Sequence, residues 1–250
     1  IDDYVDLGPD AGNGIRTIEF WFRPAFDIDG TLSNKVTIIA REESLDNYDE
    51  FNIHFQTNSM TNPGALSFFI SEDLNNYFYV ISDVNVWNAG IWYHVAAVID
   101  SLKGMRLFIN GMQQSDTNYY SNSIPHTTDN TILGCHGDAF IRHFNGSIDD
   151  LRFSDDARYS SNFTPPCPDL MTDNYTLGLW NFNESGGTIA YDSSMNYYNG
   201  QIFGATRIYA NICDTTSGGN ALYFDGIDDY VDLGPDAGNG IRTIEFWFRP

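Results

Sequence analysis

Residues Ile1–Pro24 return without a change as Ile227–Pro250, so the unit this chain builds has to close within the 226 residues between the two starts. Two diverged copies would share residue types. Here even turn residues such as Asp236, Ala237, Gly238 and Asn239 are identical to Asp10, Ala11, Gly12 and Asn13. A repeat of this length is a whole domain rather than one turn of a solenoid. The expectation is therefore a series of near-identical domains with a 226-residue period.

The period-2 pattern then sets the type of domain. Thr17–Pro24 alternates through Ile18, Phe20 and Phe22 and stops at a proline, as a half-buried strand should. Similar runs cover Tyr4–Leu7, Val36–Arg41, Phe51–Gln56, Leu66–Ser71, Tyr77–Ser82, Trp92–Asp100, Arg106–Asn110, Thr131–Cys135 and Ser147–Phe153. Asn62-Pro63-Gly64, Asn88-Ala89-Gly90, Lys103-Gly104 and Asn110-Gly111 supply turn chemistry between them. No stretch holds a 3.6-residue period over three turns, so helix is expected to be minor. Short, evenly spaced strands of this kind indicate an all-β, antiparallel two-sheet sandwich. The polar, proline-bearing stretch Tyr159–Asp173 reads as a linker, and new strands follow at Thr176–Asn183 and Gly200–Thr206.

Thirty-four acidic residues stand against 12 basic ones, for a formal charge of −22. That balance argues against nucleic acid and against bare anionic membrane, both of which need basic patches. It suits hard cations, chiefly Ca2+. No apolar run approaches the ~20 residues of a membrane span, so no direct membrane insertion is expected in this segment. Abundant Asn, Asp, Ser, Thr and Tyr, with lysine only at Lys35 and Lys103, fits an extracellular or cell-surface protein. Cys167 and Cys213 flank strands and are expected to form a disulfide, as an oxidising compartment allows. Cys135, in Thr131–Cys135, reads as a buried free thiol.

Four segments resemble the laminin-G-like, concanavalin A-like lectin superfamily. They are Leu222–Val231 followed by Thr243–Phe248; Trp92–Ala96 with Leu107–Gly111; Phe144–Phe153; and Leu179–Glu184 with Asp192–Asn196 and Asn199-Gly200. The resemblance implies a jelly-roll sandwich in which the last of these segments opens a domain and Phe144–Phe153 closes it. The opening signature here follows the closing one. Residues 1–166 then read as a body lacking its first strands, 167–175 as a linker, and 176–250 as the start of the next repeat. In the alternative, strands within 176–224 complete the body 1–166 as a circular permutant. The family often carries a structural Ca2+ between opening loop and closing strand, and the matching positions are Asp149, Asp192, Asn196 and Asn199. Met195 stands where the family usually has glycine. The competing reading of the loop is an Asx turn that caps itself.

The glucanases of this superfamily place paired carboxylates along one strand as Glu-x-Asp-x-x-Glu. No such run occurs in this sequence; Glu42, Glu43, Asp46, Asp49 and Glu50 read as an acidic loop without that spacing. His94 reads as a packed strand histidine, and His136 and His143 lack a third firm metal ligand. The chain is expected to be a non-enzyme. Tyr77, Tyr79, Tyr119 and Tyr120 are the candidates for stacking on sugar rings. The leading functional expectation is a repeated structural and adhesive module of a surface fibre, resembling bacterial adhesins and acting by reach and multivalency. Its partners would be neighbouring repeats of the same chain and surface glycans or proteins. The alternatives are a dedicated glycan-binding lectin module and an accessory domain of a carbohydrate-active enzyme.

Overall fold

The computed structural model describes residues 3–43, 48–124, 129–136, 142–167 and 170–208, the side chains of residues 42, 43, 48 and 49 excepted. Chain contacts divide the protein into Ile1–Cys213 and Asp214–Pro250. The second unit, with the repeated copy Ile227–Pro250, lies outside the described residues, as does Cys213.

The described residues form fourteen strands: β1 (Tyr4–Asp6), β2 (Thr17–Pro24), β3 (Val36–Glu43), β4 (Tyr48–Phe55), β5 (Leu66–Ser71), β6 (Tyr77–Ile81), β7 (Tyr93–Asp100), β8 (Gly104–Ile109), β9 (Met112–Asn118), β10 (Thr131–Leu133), β11 (Gly146–Ser154), β12 (Thr176–Trp180), β13 (Ile189–Ala190) and β14 (Gly200–Phe203). They form an eight-stranded sheet in the order β13-β14-β1-β10-β3-β4-β5-β6. A six-stranded sheet follows the order β12-β11-β2-β7-β8-β9. The pairings are antiparallel throughout. Among the described residues, helix is confined to one 3-10 turn at Asp10–Gly12. This is the expected antiparallel sandwich.

The core lies between the sheets and takes every second residue: Ile18, Phe20 and Phe22 from β2, Phe51, Ile53 and Phe55 from β4, Val95, Ala97 and Ile99 from β7. Each large side chain removed from water contributes about 1.5–3 kcal/mol. The register follows, since a one-residue slip would send every one of them outward. Trp21, between two core phenylalanines, points the other way and meets the His94 ring edge-on at 5.1 Å.

The strands after Thr176 are hydrogen-bonded to the body. β12 pairs β11, with Leu151 opposite Trp180, and β14 pairs β1, with Val5 opposite Ile202. Tyr4 stacks on Phe203 at 4.7 Å. Trp180 is fully buried against Phe153 and donates its indole N–H to the Tyr198 carbonyl at 2.9 Å.

The stretch that reads as a linker in sequence packs down instead. Tyr159 and Phe163 stack in parallel at 3.5 Å and cover Ala96, Val98 and Phe108 on the outer face of the six-stranded sheet. Beneath them Glu19 is fully buried. It accepts from Arg152 at 2.6 and 2.8 Å and from the Tyr159 hydroxyl at 2.7 Å, and the His94 ring is 3.5 Å away. Arg158 forks onto Asp173 at 2.8 and 2.7 Å, tying the two ends of the strap together. Leu170, within the expected linker 167–175, is buried. Apolar residues among polar ones give this segment something to bury, which a flexible linker lacks.

Two other expectations meet a different outcome. The acidic stretch Glu42–Glu50 lies largely on the facing strands β3 and β4, Asp46 itself falling outside the described residues, and Glu50 is buried in an ion pair with Arg41. Strand β9 has no counterpart among the expected strands.

The hairpin joining β7 to β8 turns on Gly104, at φ +73°, where a Cβ would fall 1.9 Å from the Asn118 carbonyl oxygen. A left-handed L-residue costs about 1–2 kcal/mol before any clash. Gly104→Ala is therefore expected to lower the melting temperature by several degrees, and calorimetry showing no change would contradict this close approach.

Candidate functional site

With the outer face of the six-stranded sheet covered by the strap, the outer face of the eight-stranded sheet carries the exposed features. Core-facing Phe51, Ile53 and Phe55 oblige Asn52, His54 and then Gln56 to project from the opposite face of β4. Ser67 and Phe69 do so from β5, and Tyr77, Tyr79 and Ile81 from β6. The turn after β4 rises beside them, carrying Ser59, Met60 and Thr61.

Two adjoining grooves result. The first, of about 270 Å3, is lined by Lys35, His54, Gln56, Thr61, Tyr77 and Tyr79 among others. The second, of about 400 Å3, runs past Tyr79 to Asp83, Ser115, Asp116 and Asn118. Gln56, Thr61 and Tyr79 line both, so the two make one cleft. Tyr77 and Tyr79 are 57 and 44 % exposed. Tyr77 is oriented from behind by Phe69, stacked at 5.8 Å. Gln56 accepts from the Asn62 amide at 3.2 Å, and Asn62 donates to the Ser82 carbonyl at 3.2 Å. His54 is hydrogen-bonded to Asn52. Rings with exposed faces beside fixed amides and hydroxyls offer stacking and directional hydrogen bonds together.

The far wall of the cleft is a seam between the sheets. The Ile81 amide donates to Asp116 at 3.0 Å, and the Asp83 amide to Gln114 at 2.9 Å. The Ser115 amide donates to Asp83 at 2.7 Å. The two open strand edges, β6 and β9, thus satisfy each other through side chains.

The positions expected to hold Ca2+ were tested against the donor set. Asp192, 6 % exposed, accepts on one oxygen from the Leu179 and Ser194 amides, both at 2.8 Å. Its other oxygen accepts from the Ser194 hydroxyl at 2.6 Å and the Tyr198 amide at 2.9 Å. Asn199 accepts from the Asp192 amide at 3.0 Å, and Asn196 donates to the Leu177 carbonyl at 2.8 Å. These bonds bring Asp192, Asn196 and Asn199 into one knot. Asp149 sits on β11 and accepts from its neighbour, the Asp150 amide, at 2.9 Å. A carboxylate has about four lone-pair sites, and protein donors occupy all four on Asp192. Calcium takes six to eight oxygens; with these bonds in place Asp192 has no lone pair left to offer one. Among the described residues no group of three His, Cys, Asp or Glu side chains converges as metal ligands.

Cys167 is disulfide-bonded; its expected partner, Cys213, lies outside the described residues. Cys135 is free and buried, and burial pushes its thiol up to about 11. That shift disfavours the thiolate, which is the reactive form. His94 is buried in the Glu19 network rather than presented to solvent. His136 is buried as well.

Tyr77 and Tyr79 were visible in the sequence as candidates; Lys35, His54 and Gln56 were not singled out. The alternation that places Phe51, Ile53 and Phe55 inside also puts Asn52, His54 and Gln56 on one face, which was the available signal.

A two-sheet antiparallel sandwich with one sheet face open and lined by tyrosines and amides defines a lectin-like β-sandwich protein. A family profile described as the concanavalin A-like lectin/glucanases superfamily, Laminin_G_3, matches residues 2–163, and the chain belongs to that superfamily. No curated protein shows detectable sequence similarity to it. Among solved structures it is similar to a candidate carbohydrate-binding protein from Bacteroides ovatus, at 16 % identity and TM-score 0.61. That match covers 82 % of this chain and 57 % of the other, so the chain spans little more than half of that relative. A pentraxin from Limulus polyphemus matches at 18 % identity and TM-score 0.45, over 63 % of this chain and 71 % of the other. The sialidase carbohydrate-binding module of Ruminococcus gnavus, bound to a sialyllactose, matches at 14 % identity and TM-score 0.48, over 64 and 90 %. Among the described residues no helix is long and apolar enough to cross a membrane.

Proposed function

We propose that this chain is a carbohydrate-binding module whose site is the cleft over β4–β6, and that it works in series with copies of itself on a cell surface. The observation that carries the reading is the exposed pair Tyr77 and Tyr79, Tyr77 stacked on Phe69, beside Gln56 and His54. Pyranose rings present C–H faces to aromatic rings and hydroxyls to amides. The similarity to the Bacteroides ovatus protein supports this choice.

Binding, not turnover, is the mode of action. The cleft's carboxylates, Asp83 and Asp116, are engaged in holding backbone amides across the seam, which suits neither for the nucleophile-and-acid pairing of a glycosidase. A disulfide at Cys167, which we assign to Cys213, supports an extracellular address. The identity of Ile1–Pro24 with Ile227–Pro250 supports tandem copies. Weak sites joined on one fibre gain avidity of roughly 10²–10⁴-fold without any new contact.

The test is a glycan array followed by calorimetric titration of the best hit. Tyr79→Ala is expected to weaken binding at least tenfold while leaving the melting temperature within about a degree, because the ring is a surface group whose removal opens no cavity. An array without saccharide hits, or full binding by Tyr79→Ala, would overturn the assignment.

A further inference from the structure

The groups that line the cleft are suited to receive hydroxyls and unsuited to receive an anion. Its second groove carries Asp83 and Asp116 beside the exposed ring of Tyr79, and no Lys or Arg lines that groove. In the first groove Lys35 is the one Lys or Arg among the lining residues, and it already has an interaction partner. The two carboxylates are held at the wall by the seam: Asp83 takes the Ser115 amide and hydroxyl, and Asp116 takes the Ile81 amide. A carboxylate offers about four acceptor sites, so both can still receive hydroxyl protons. A hydrogen bond to an ionised acceptor is stronger than one between neutral groups, and a saccharide hydroxyl is such a donor. A saccharide carboxylate or sulfate brings no proton there and meets like charge.

Resting on the carbohydrate-binding reading above, we propose that the cleft takes neutral oligosaccharides and turns anionic ones away. One sugar ring stacks on Tyr79. The next extends into the second groove and donates its hydroxyls to Asp83 and Asp116. Gln56 and Thr61, which line both grooves together with Tyr79, stand where the glycosidic linkage passes. Because the Ile81 and Ser115 amides fix the carboxylates at 3.0 and 2.7 Å, their orientation is set before a ligand arrives. The net charge of −22 adds a long-range repulsion of anions to this local one.

The experiment is an array of neutral oligosaccharides, each printed beside a counterpart of the same backbone that carries a uronate carboxylate or a sulfate. It is probed with the wild-type chain, Asp116→Asn and Tyr79→Ala. The expected result is at least tenfold stronger binding to the neutral member of the bound pairs. Asp116→Asn keeps an oxygen for the Ile81 amide but loses the charge, so it should weaken neutral binding and narrow the gap between the members. Salt raised toward 1 M should narrow the gap in the wild type, as screening of exposed charges requires. The salt effect reports on the whole field of the chain, whereas the Asp116→Asn effect reports on the cleft wall. Equal or better binding of the anionic members, still lost in Tyr79→Ala, would overturn the charge selection and leave the carbohydrate-binding reading standing. So would a gap that Asp116→Asn leaves unchanged. Absence of any saccharide binding would remove both.

Discussion

Glu19→Ala will lower the unfolding free energy by about 3–5 kcal/mol, the cost of removing one partner from a buried ion pair. The carboxylate is fully buried and carries Arg152 at 2.6 Å, the Tyr159 hydroxyl at 2.7 Å and His94 at 3.5 Å, with Arg158 at 3.7 Å. Alanine would leave the Arg152 guanidinium buried without its counter-charge and the strap without its central anchor. Chemical denaturation monitored by tryptophan fluorescence reads the loss; a change below 1 kcal/mol would show that the network is dispensable. Burial by itself would raise the Glu19 pKa, but the nearby His94 ring and the Arg152 charge outweigh it and hold the carboxyl below its ordinary 4.5. Asp173 is likewise depressed, first by its hydrogen bonds from Arg158. A depressed carboxyl contributes stability that is present above its unfolded value and is lost as pH falls through the folded one. Stability is therefore expected to hold down to about pH 4.5 and to decline progressively below it, and Glu19→Gln should flatten that decline.

Asp192→Ala is expected to be nearly as costly, about 3 kcal/mol or more. Hydrogen bonds to a charged group contribute roughly 1.5–3 kcal/mol each, and their losses do not add fully. This carboxylate accepts four, from Leu179, Ser194 twice and Tyr198. For a domain of this size the melting temperature should fall by roughly 6–12 °C. Asp192→Asn should recover little, because the amide turns a donor toward groups that are themselves donors. Chelation separates this reading from the metal site. With its lone pairs taken by protein, Asp192 needs no cation, so EDTA is expected to leave the melting curve unchanged. A drop on chelation, reversed by added Ca2+, would show that the knot opens to bind metal.

The sandwich was legible in the sequence wherever one face of a strand is apolar. β2, with Ile18, Phe20 and Phe22 alternating, begins and ends where the pattern places it. β9, Met-Gln-Gln-Ser-Asp-Thr-Asn, shows no such alternation because its role is to cap an edge: Gln114 and Asp116 face the β6 backbone. Its pairing is set by partners distant in sequence, which local pattern cannot supply. The strap was misread for a related reason. Proline and polar composition describe its exposed side, whereas Tyr159 and Phe163 take their meaning from Phe108 beneath them. At the cleft, the tyrosines stand out in a sequence, whereas His54 and Gln56 do not. They gain interest once β4 and β6 are known to be joined through β5. The family resemblance implied a cation at the Asx-rich loop; the count of donors around Asp192 needs coordinates.

The side-chain seam between β6 and β9 bears on what happens when identical domains are strung together. Neighbours on one chain meet at effective concentrations of order millimolar, and an open strand edge at that concentration is a template for pairing with the wrong copy. Here three amides along this seam are already satisfied within the domain: Ile81 by Asp116, Asp83 by Gln114, Ser115 by Asp83. A neighbour offering a strand would have to displace charge-assisted bonds before gaining any of its own. In the tandem arrangement proposed above, the seam that walls the cleft would also protect each domain from its siblings.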